Sequence, residues 1–169
     1  MKKLSMTLIA ICVAINLNAQ YRIDTIYYDK EWVKTPIKPF AEFFRVVITP
    51  SDSTIHPRFK DYFMSGELQG EGTLISLSET ADSLSIFDGE IVSYYKNGKK
   101  ESVRHFKDGH PEGEQTHYYD NGLIEVQYHL FNAKPHGLFT RFLENDRFIQ
   151  IEYSFGKPKY PYYIMGNAD

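Results

Sequence analysis

Short runs rich in aromatic and β-branched residues, each followed by turn-forming residues, recur along most of the chain. Residues 90–95 and 100–106 are two such runs, and Asn97 and Gly98 lie between them. This composition is typical of β-strands, and Asn-Gly between two strands is a strong signal for a β-hairpin. The pattern predicts a hairpin closed by a type I′ turn, in which Asn97 and Gly98 both have positive φ.

The hairpin pattern repeats with a period of 24 residues. Glycines recur at the same point of three successive copies as Gly89, Gly113 and Gly137, and the Asn-Gly pair recurs as Asn121 and Gly122. We expect these residues to form structural turns. Between hairpins, residues 108–111 and 132–135 predict a second and longer turn.

Four copies of this unit follow a segment of different character. They lie at residues 62–88, 89–112, 113–136 and 137–158, and the first copy contains an eight-residue insertion that predicts a loop at 76–83. About three units suffice for a stable repeat protein. We therefore expect an all-β fold, an elongated antiparallel meander of β-hairpins over residues 59–169, where a C-terminal tail follows the last copy. Residues 20–58 would form an N-terminal β capping segment with strands at 22–28 and 43–49.

The adjacent tyrosines of each copy predict how the sheet is packed. Side chains alternate along a strand, so Tyr94 and Tyr95, like Tyr118 and Tyr119, must point to opposite faces. Aromatics on both faces predict a sheet whose side chains stack from repeat to repeat instead of covering a central core.

Residues 1–19 have the layout of a secretory signal peptide. Lys2 and Lys3 precede an apolar run at residues 8–15, and a polar stretch ends at Ala19. We expect this segment to be removed and the protein to be exported to the periplasm or outer envelope, with secretion as an alternative. Cys12 is the only cysteine and lies in this segment, so the mature chain would contain no disulfide.

Charge and composition limit the classes of partner. The chain contains 13 Tyr and 12 Phe. Without the lysines of the predicted signal, 17 basic residues stand against 22 acidic ones, a net charge of −5. A nucleic-acid-binding protein would normally have a basic excess. The acidic balance also works against anionic lipid, so peripheral membrane contact stays open but is not favoured.

The motif Tyr-Tyr-x-Asn-Gly, followed by a strand, an aromatic residue and x-x-Gly-x-Pro-x-Gly, resembles the MORN-variant repeat of many bacterial exported proteins. The resemblance spans about residues 59–158 and is closest over 94–113 and 118–137, whereas the copy from Phe142 departs at Asp146. It implies a β-hairpin repeat sheet and a role in binding proteins or membranes. Some family members carry the label of a YwqK-type antitoxin, which implies an immunity role as an alternative.

Aromatic residues at the ends of the strands are candidates for contact with a partner. They are Tyr94, Tyr95, Tyr118, Tyr119 and Phe142. Tyrosine is enriched at interfaces because it combines a large rigid surface with a polar tip. The same side chains would also suit ladders that hold neighbouring hairpins together, and both interpretations stay open.

The histidines do not predict a metal site. Centring a hairpin on the second Asn-Gly turn places Glu114 opposite His129 and His117 opposite Val126, and His105 lies one repeat before His129. His105 and His129 would be two strands apart, which separates their backbones by roughly 9 to 10 Å. Ligands must lie within about 2 Å of a zinc ion, so we expect no metal, and no sequence feature indicates a cofactor.

The sequence contains no His-Glu-x-x-His, Gly-x-Ser-x-Gly or phosphate-loop motif of an enzyme. We therefore expect a non-catalytic exported scaffold that binds a protein or cell-envelope component through an aromatic face of the sheet. An immunity protein or antitoxin that neutralises a partner toxin is the first alternative. The second is an enzyme acting on envelope glycans, which would need two facing carboxylates in a pocket. We expect a monomer or a weak dimer paired through sheet edges.

Overall fold

The computed structural model describes residues 20–143, 146–161 and 163–167. The predicted signal peptide lies outside these residues. The described chain contains two short 3-10 turns, Lys38–Phe40 and Asp82–Leu84, and twelve β-strands. The strands are β1 (Tyr21–Tyr28), β2 (Phe43–Pro50), β3 (Arg58–Phe63), β4 (Leu68–Ser76), β5 (Ile86–Tyr94), β6 (Lys100–Lys107), β7 (His110–Tyr118), β8 (Ile124–Phe131), β9 (Lys134–Leu143), β10 (Arg147–Ser154), β11 (Lys157–Pro158) and β12 (Ile164–Asn167).

The strands form one open antiparallel sheet, which confirms the predicted all-β meander. Each strand from β1 to β11 pairs with the next along the chain. The short strands β11 and β12 both pair with β10, on the edge away from β9. The N-terminal segment contributes β1 and β2 at the other end of the sheet, and the predicted insertion forms the loop between β4 and β5.

The prediction of type I′ turns at the Asn-Gly pairs is wrong. At the first pair only the glycine has positive φ, with Gly98 at +80°. The Gly98 amide donates to the Tyr95 carbonyl, and the Tyr95 amide donates to the Lys99 carbonyl, both at 2.9 Å. This is a type I turn followed by a glycine bulge. The Asn97 side-chain oxygen accepts from the Lys99 amide at 2.9 Å, and this bond favours the type I form.

The second set of turns is shorter than predicted. Asp108 and Gly109, with φ of +50° and +80°, form a two-residue type I′ turn, and Asn132 and Ala133 form another with +49° and +57°. Residues 110–111 and 134–135 therefore belong to strands β7 and β9. A carboxylate 20 residues earlier supports each turn. Asp88 accepts from the Asp108 amide at 3.1 Å, and Glu112 accepts from the Asn132 amide at 2.7 Å.

Gly89, Gly113 and Gly137 lie within strands, which corrects their prediction as turn residues. They occupy the middle of β5, β7 and β9 and have φ of +72°, +79° and +83°. A glycine with positive φ inside a strand is typical of a β-bulge, because the left-handed conformation is strained for other residues. The 24-residue period therefore places one bent strand in each of the last three copies.

A small core covers one face of the first five strands, which corrects the prediction of a sheet without a core. Its buried cluster consists of Val47, Phe59, Leu74 and Ile91. We call the face that carries this cluster the inner face. Two segments lie over it, residues 29–34 after β1 and residues 77–85 after β4. From β6 onward the described residues supply no second layer, so the inner face continues there as the surface of a single sheet.

The two covering segments are hydrogen-bonded to each other. The Lys34 amide donates to the Thr80 carbonyl at 2.8 Å, and the Asp82 amide donates to the Trp32 carbonyl at 3.0 Å. The Trp32 ring stacks on Phe43 of β2 with centroids 4.4 Å apart. The segments therefore form one cover that is anchored on the sheet through Trp32.

Candidate functional site

Two of the predicted contact residues join neighbouring hairpins. The Tyr95 hydroxyl donates to the Tyr118 carbonyl at 2.6 Å, and the Tyr119 hydroxyl donates to the Phe142 carbonyl at 2.8 Å. The two bonds are equivalent positions of successive repeats. They give Tyr95 and Tyr119 a clear structural role at the hairpin tips.

The other candidates, Tyr94, Tyr118 and Phe142, are half-buried, as are Tyr95 and Tyr119. The Tyr94 hydroxyl donates to the Glu71 carboxylate at 2.8 Å. Burial, together with this bond, raises the pKa of Tyr94 to about 12. Binding through these five residues stays a prediction, and the structure gives three of them, Tyr94, Tyr95 and Tyr119, hydrogen bonds to other hairpins.

The histidines lie as the hairpin register requires. Glu114 pairs with His129 and His117 pairs with Val126. His105 directs its Nδ1 atom to the Glu114 carbonyl at 2.7 Å. Within the described residues, no three His, Cys, Asp or Glu side chains are grouped so that they could hold a metal ion.

Beyond the covered part, the inner face carries a row of aromatic rings that crosses four strands. His117 and Tyr128 stack with centroids 6.2 Å apart, and Tyr128 and Phe139 stack at 5.3 Å. Phe139 meets Tyr153 edge-on at 6.3 Å. All four side chains are half-buried. We call this row, His117, Tyr128, Phe139 and Tyr153, the aromatic strip.

The register of the sheet fixes the position of the strip. Arg104 pairs with Gln115, Gln115 with Tyr128, and Tyr128 with Phe139. Paired residues share a face, so the strip continues the side of the sheet that carries Ile91, the partner of Arg104. Repeat comparison could not find it, because the equivalent positions hold different residues: Arg104 corresponds to Tyr128, and Gln115 to Phe139.

A buried charge cluster lies at the covered end of the same face. Arg45 donates from Nε and Nη2 to the two Asp61 carboxylate oxygens, each at 2.7 Å, and from Nη1 to Asp82 at 2.5 Å. The Arg45 and Asp61 side chains are only 1% and 4% exposed. Asp82 belongs to the cover, so the cluster ties that cover to β2 and β3.

Aromatic rings surround the Arg45 guanidinium. Its Cζ atom lies 4.2 Å from the centroid of Phe59, 5.4 Å from that of Tyr28 and 5.8 Å from that of Trp32. Ring faces attract a cation, so these contacts compensate in part for the hydration that Arg45 loses. The cluster is held by packing as well as by charge.

Burial shifts the pKa values in the cluster. It raises the pKa of Asp61 to about 6, although the hydrogen bonds and charge of Arg45 act in the opposite direction, and Asp82 raises it further. Burial also raises the pKa of Tyr28 to about 12. The Tyr28 hydroxyl is buried and has no hydrogen-bond partner in the described part of the chain.

A cavity of about 140 Å³ lies at the charge cluster. Its lining includes Arg45, Asp61, Asp82 and also Arg104 of β6, the strand next to the one where the aromatic strip begins. Both carboxylates of the cavity bond to Arg45. Arg104 makes no ion pair with any described residue, and its buried Nε atom has no hydrogen-bond partner among them. Its Cζ atom lies 5.6 Å from the centroid of the Phe106 ring, so this cation at the border of the strip has a ring contact but no ion pair among the described residues.

No helix in the described part of the chain is long and apolar enough to cross a membrane. Comparison of the chain with protein-family models, curated proteins and solved structures finds no match in any of the three.

Proposed function

We propose that the protein is a non-catalytic exported scaffold of the MORN-variant type, which binds a protein or envelope component through the aromatic strip. The observation that carries this proposal is the difference between the two ends of the inner face. Two chain segments cover the first five strands, whereas the strip on β7 to β10 presents four rings on a surface that the described residues leave uncovered. Aromatic rings on a rigid sheet are well suited to an interface, because little conformational entropy is lost on binding.

Arg104 defines the chemistry expected of the partner. Its side chain lies one strand from the strip, lines the cavity at the charge cluster and forms no ion pair with an acid among the described residues. A partner that supplies a carboxylate or carbonyl oxygen here, next to an aliphatic or aromatic side chain on Tyr128 and Phe139, would satisfy both parts of the site.

An affinity pull-down from envelope extract tests the proposal. The tagged full chain is compared with a Tyr128→Ala/Phe139→Ala variant and with Leu138→Ala as a matched control. Leu138 is next to Phe139 in β9, points to the opposite face and is 53% exposed. We expect one partner to be retained by the wild type and the control and lost by the double variant. A toxin as that partner would assign the immunity role.

Equal retention of the partner by the double variant would show that the strip is not the binding surface. Repeated failure of the wild type to retain any partner would contradict a binding function. Circular dichroism of all three proteins must show the same β-sheet signal, so that loss of binding is not caused by unfolding.

A further inference from the structure

The outer edge of β1 is open over residues 21–25, whereas residues 33–35 cover it at Tyr27 and Tyr28. β1 pairs with β2 over eight residue pairs with no bulge, and it contains neither proline nor lysine. Proteins commonly protect such edges with short strands, proline, bulges or lysine. The other end of the sheet shows these devices: β11 has two residues, β12 has four, and Pro158 lies in β11.

The hydrogen bonds show which residues of β1 face this edge. The Tyr28 carbonyl accepts from the Glu42 amide on the β2 side, whereas the Tyr27 carbonyl accepts from the Thr35 amide on the outer side. The main-chain groups of a strand alternate in direction. Tyr21, Ile23 and Thr25 therefore direct their N–H and C=O groups outward, and no strand of the described chain pairs with them there.

We infer that this edge pairs antiparallel with β1 of a second copy, about a two-fold axis at Ile23. In that register Ile23 faces Ile23 of the other copy and Tyr21 faces Thr25, and both are hydrogen-bonded pairs because these residues point outward. Arg22 then faces Asp24 of the other copy in the closer, non-hydrogen-bonded position. The strand is thus complementary to itself in both hydrogen bonding and charge.

Charge also selects this register over its neighbours. An axis at Arg22 would place two arginines opposite each other, and an axis at Asp24 would place two aspartates opposite each other; like charges in these positions destabilise strand pairing. Within one chain Arg22 and Asp24 already form an ion pair at 2.7 Å, with side chains 75% and 42% exposed. The two-fold pairing extends that pair into a network of four alternating charges.

Exposed apolar side chains support a second copy as the occupant. Ile23 is 66% exposed and Tyr21 is 53% exposed, and both project from the same side of β1. Pairing would bring the two Ile23 side chains together between the Tyr21–Thr25 pairs. The contact is a single strand pair, so we expect a weak, concentration-dependent dimer whose two sheets are continuous, independent of any partner at the aromatic strip.

Charge-reversal variants test this arrangement. The full chain is expressed with its native N-terminal segment, the mass of the product is recorded, and sedimentation equilibrium is measured over a roughly hundredfold concentration range. The variants are Arg22→Asp and Asp24→Arg. We expect each variant alone to dimerise at least about tenfold more weakly than the wild type, because like charges then face each other. Mixing the two should restore a dimer, since the aspartate introduced in one variant would face the arginine introduced in the other.

Lys157→Asp, on the opposite edge of the sheet, is the matched control and should leave the dimer unchanged. A wild type that stays monomeric at every concentration would overturn the inference. So would a dimer that neither single variant weakens, or a mixture of the two variants that shows no recovery. Ile23→Pro provides an independent check, because it removes an outward amide that takes no part in the β1–β2 ladder and should abolish the dimer while the β-sheet signal is kept.

Discussion

Arg45 and Asp61 form a bidentate ion pair across β2 and β3 in the most buried part of the molecule. Two N–H groups of Arg45 donate to the two oxygens of Asp61 at 2.7 Å each. Moving both charges out of water costs several kcal/mol, and the geometry of the pair compensates for much of that cost. The fold consequently depends on keeping the two partners together, even though neither is apolar.

Removal of Arg45 alone should destabilise the protein strongly. Arg45→Ala leaves the Asp61 carboxylate buried without a cation, and it also removes the bond that ties Asp82 of the cover to β2. We expect a loss of about 3 to 5 kcal/mol in the free energy of unfolding, measured by urea denaturation. As a control, Arg22→Ala removes an ion pair that is largely exposed and should cost less than about 1 kcal/mol.

Replacing both residues of the pair by apolar ones separates the cost of burying the two charges from the free energy that their contact contributes. Arg45→Met/Asp61→Leu removes both charges, so it should regain much of the stability that Arg45→Ala loses. If the double variant is as unstable as Arg45→Ala, the free energy gained from the ion pair exceeds the cost of burying its two charges.

Asp61 should titrate well above an ordinary aspartate. Burial raises its pKa to about 6, and the charge of Asp82 contributes in the same direction. Carboxyl carbon chemical shifts followed by NMR should therefore give a midpoint near pH 6, and Asp82→Asn should lower that midpoint. Asp52 is an internal control, because hydrogen bonds from Thr54 lower its pKa below the usual value. A midpoint for Asp61 near that of Asp52 would contradict the assignment.

The sign of the pH effect on stability follows from this shift. The pKa of Asp61 in the folded state lies above the unfolded value of about 3.9, so the folded state takes up the proton first as the pH falls. The unfavourable contribution of this carboxyl is therefore present above pH 6 and is removed between about pH 6 and pH 4. As the pH falls from about 6 to about 4, the free energy of unfolding of the wild type should therefore rise relative to that of Asp61→Asn.

Local signals in the sequence were enough to predict the sheet but not the geometry of its turns. Asn97-Gly98 marks a hairpin under either turn type, so the strands on both sides were correctly predicted. The turn type depends on the main-chain bonds of Tyr95 and on the side-chain bond of Asn97 to the Lys99 amide. An Asn-Gly pair is compatible with a type I′ turn and also with a type I turn followed by a glycine bulge. Composition alone therefore could not decide between the two turn types.

Comparison of equivalent turns in the repeats yields a prediction for the turn at Asn132 and Ala133. Ala133 has φ of +57°, whereas glycine occupies the equivalent position at Gly109 and Gly156. The left-handed conformation costs a non-glycine residue about 1 to 2 kcal/mol, and glycine loses part of that gain through the entropy of the unfolded chain. Ala133→Gly should stabilise the protein by roughly 0.5 to 1 kcal/mol. Thermal unfolding measures the change.

Gly156→Ala is the reverse experiment at the last of these turns. Gly156 has φ of +85°, and an added Cβ would approach Lys134 no closer than 3.5 Å, so backbone strain is the main effect. We expect destabilisation of about 1 kcal/mol. If both substitutions shifted the midpoint in the same direction, the left-handed geometry of these turns would be wrong.

The buried cluster could not be predicted, because its members are distant in sequence and have no local signature. Asp61 is 16 residues from Arg45, and Asp82 is 37 residues away in an insertion that no other repeat contains. The aromatic strip was missed for a different reason. Its rings come from positions that differ between copies, whereas the repeat comparison selected positions that agree. The tyrosines that agree, Tyr95 and Tyr119, form bonds between the repeats.

Those repeated bonds provide the last prediction. The Tyr119 hydroxyl donates to the Phe142 carbonyl at 2.8 Å, and Tyr95 makes the equivalent bond one repeat earlier. A hydrogen bond of this kind contributes about 0.5 to 1.5 kcal/mol, so Tyr119→Phe should lower the free energy of unfolding by that amount, measured with urea. Tyr118→Phe is the matched control, because the Tyr118 hydroxyl makes no hydrogen bond to a described residue, and it should have little effect.

Because the bond of the Tyr119 hydroxyl links the tips of two hairpins, amide hydrogen exchange in residues 120–123 should also accelerate in Tyr119→Phe and stay unchanged in the control. Equal losses in the two variants would show that the hydrogen bond of the Tyr119 hydroxyl does not stabilise the junction between these repeats.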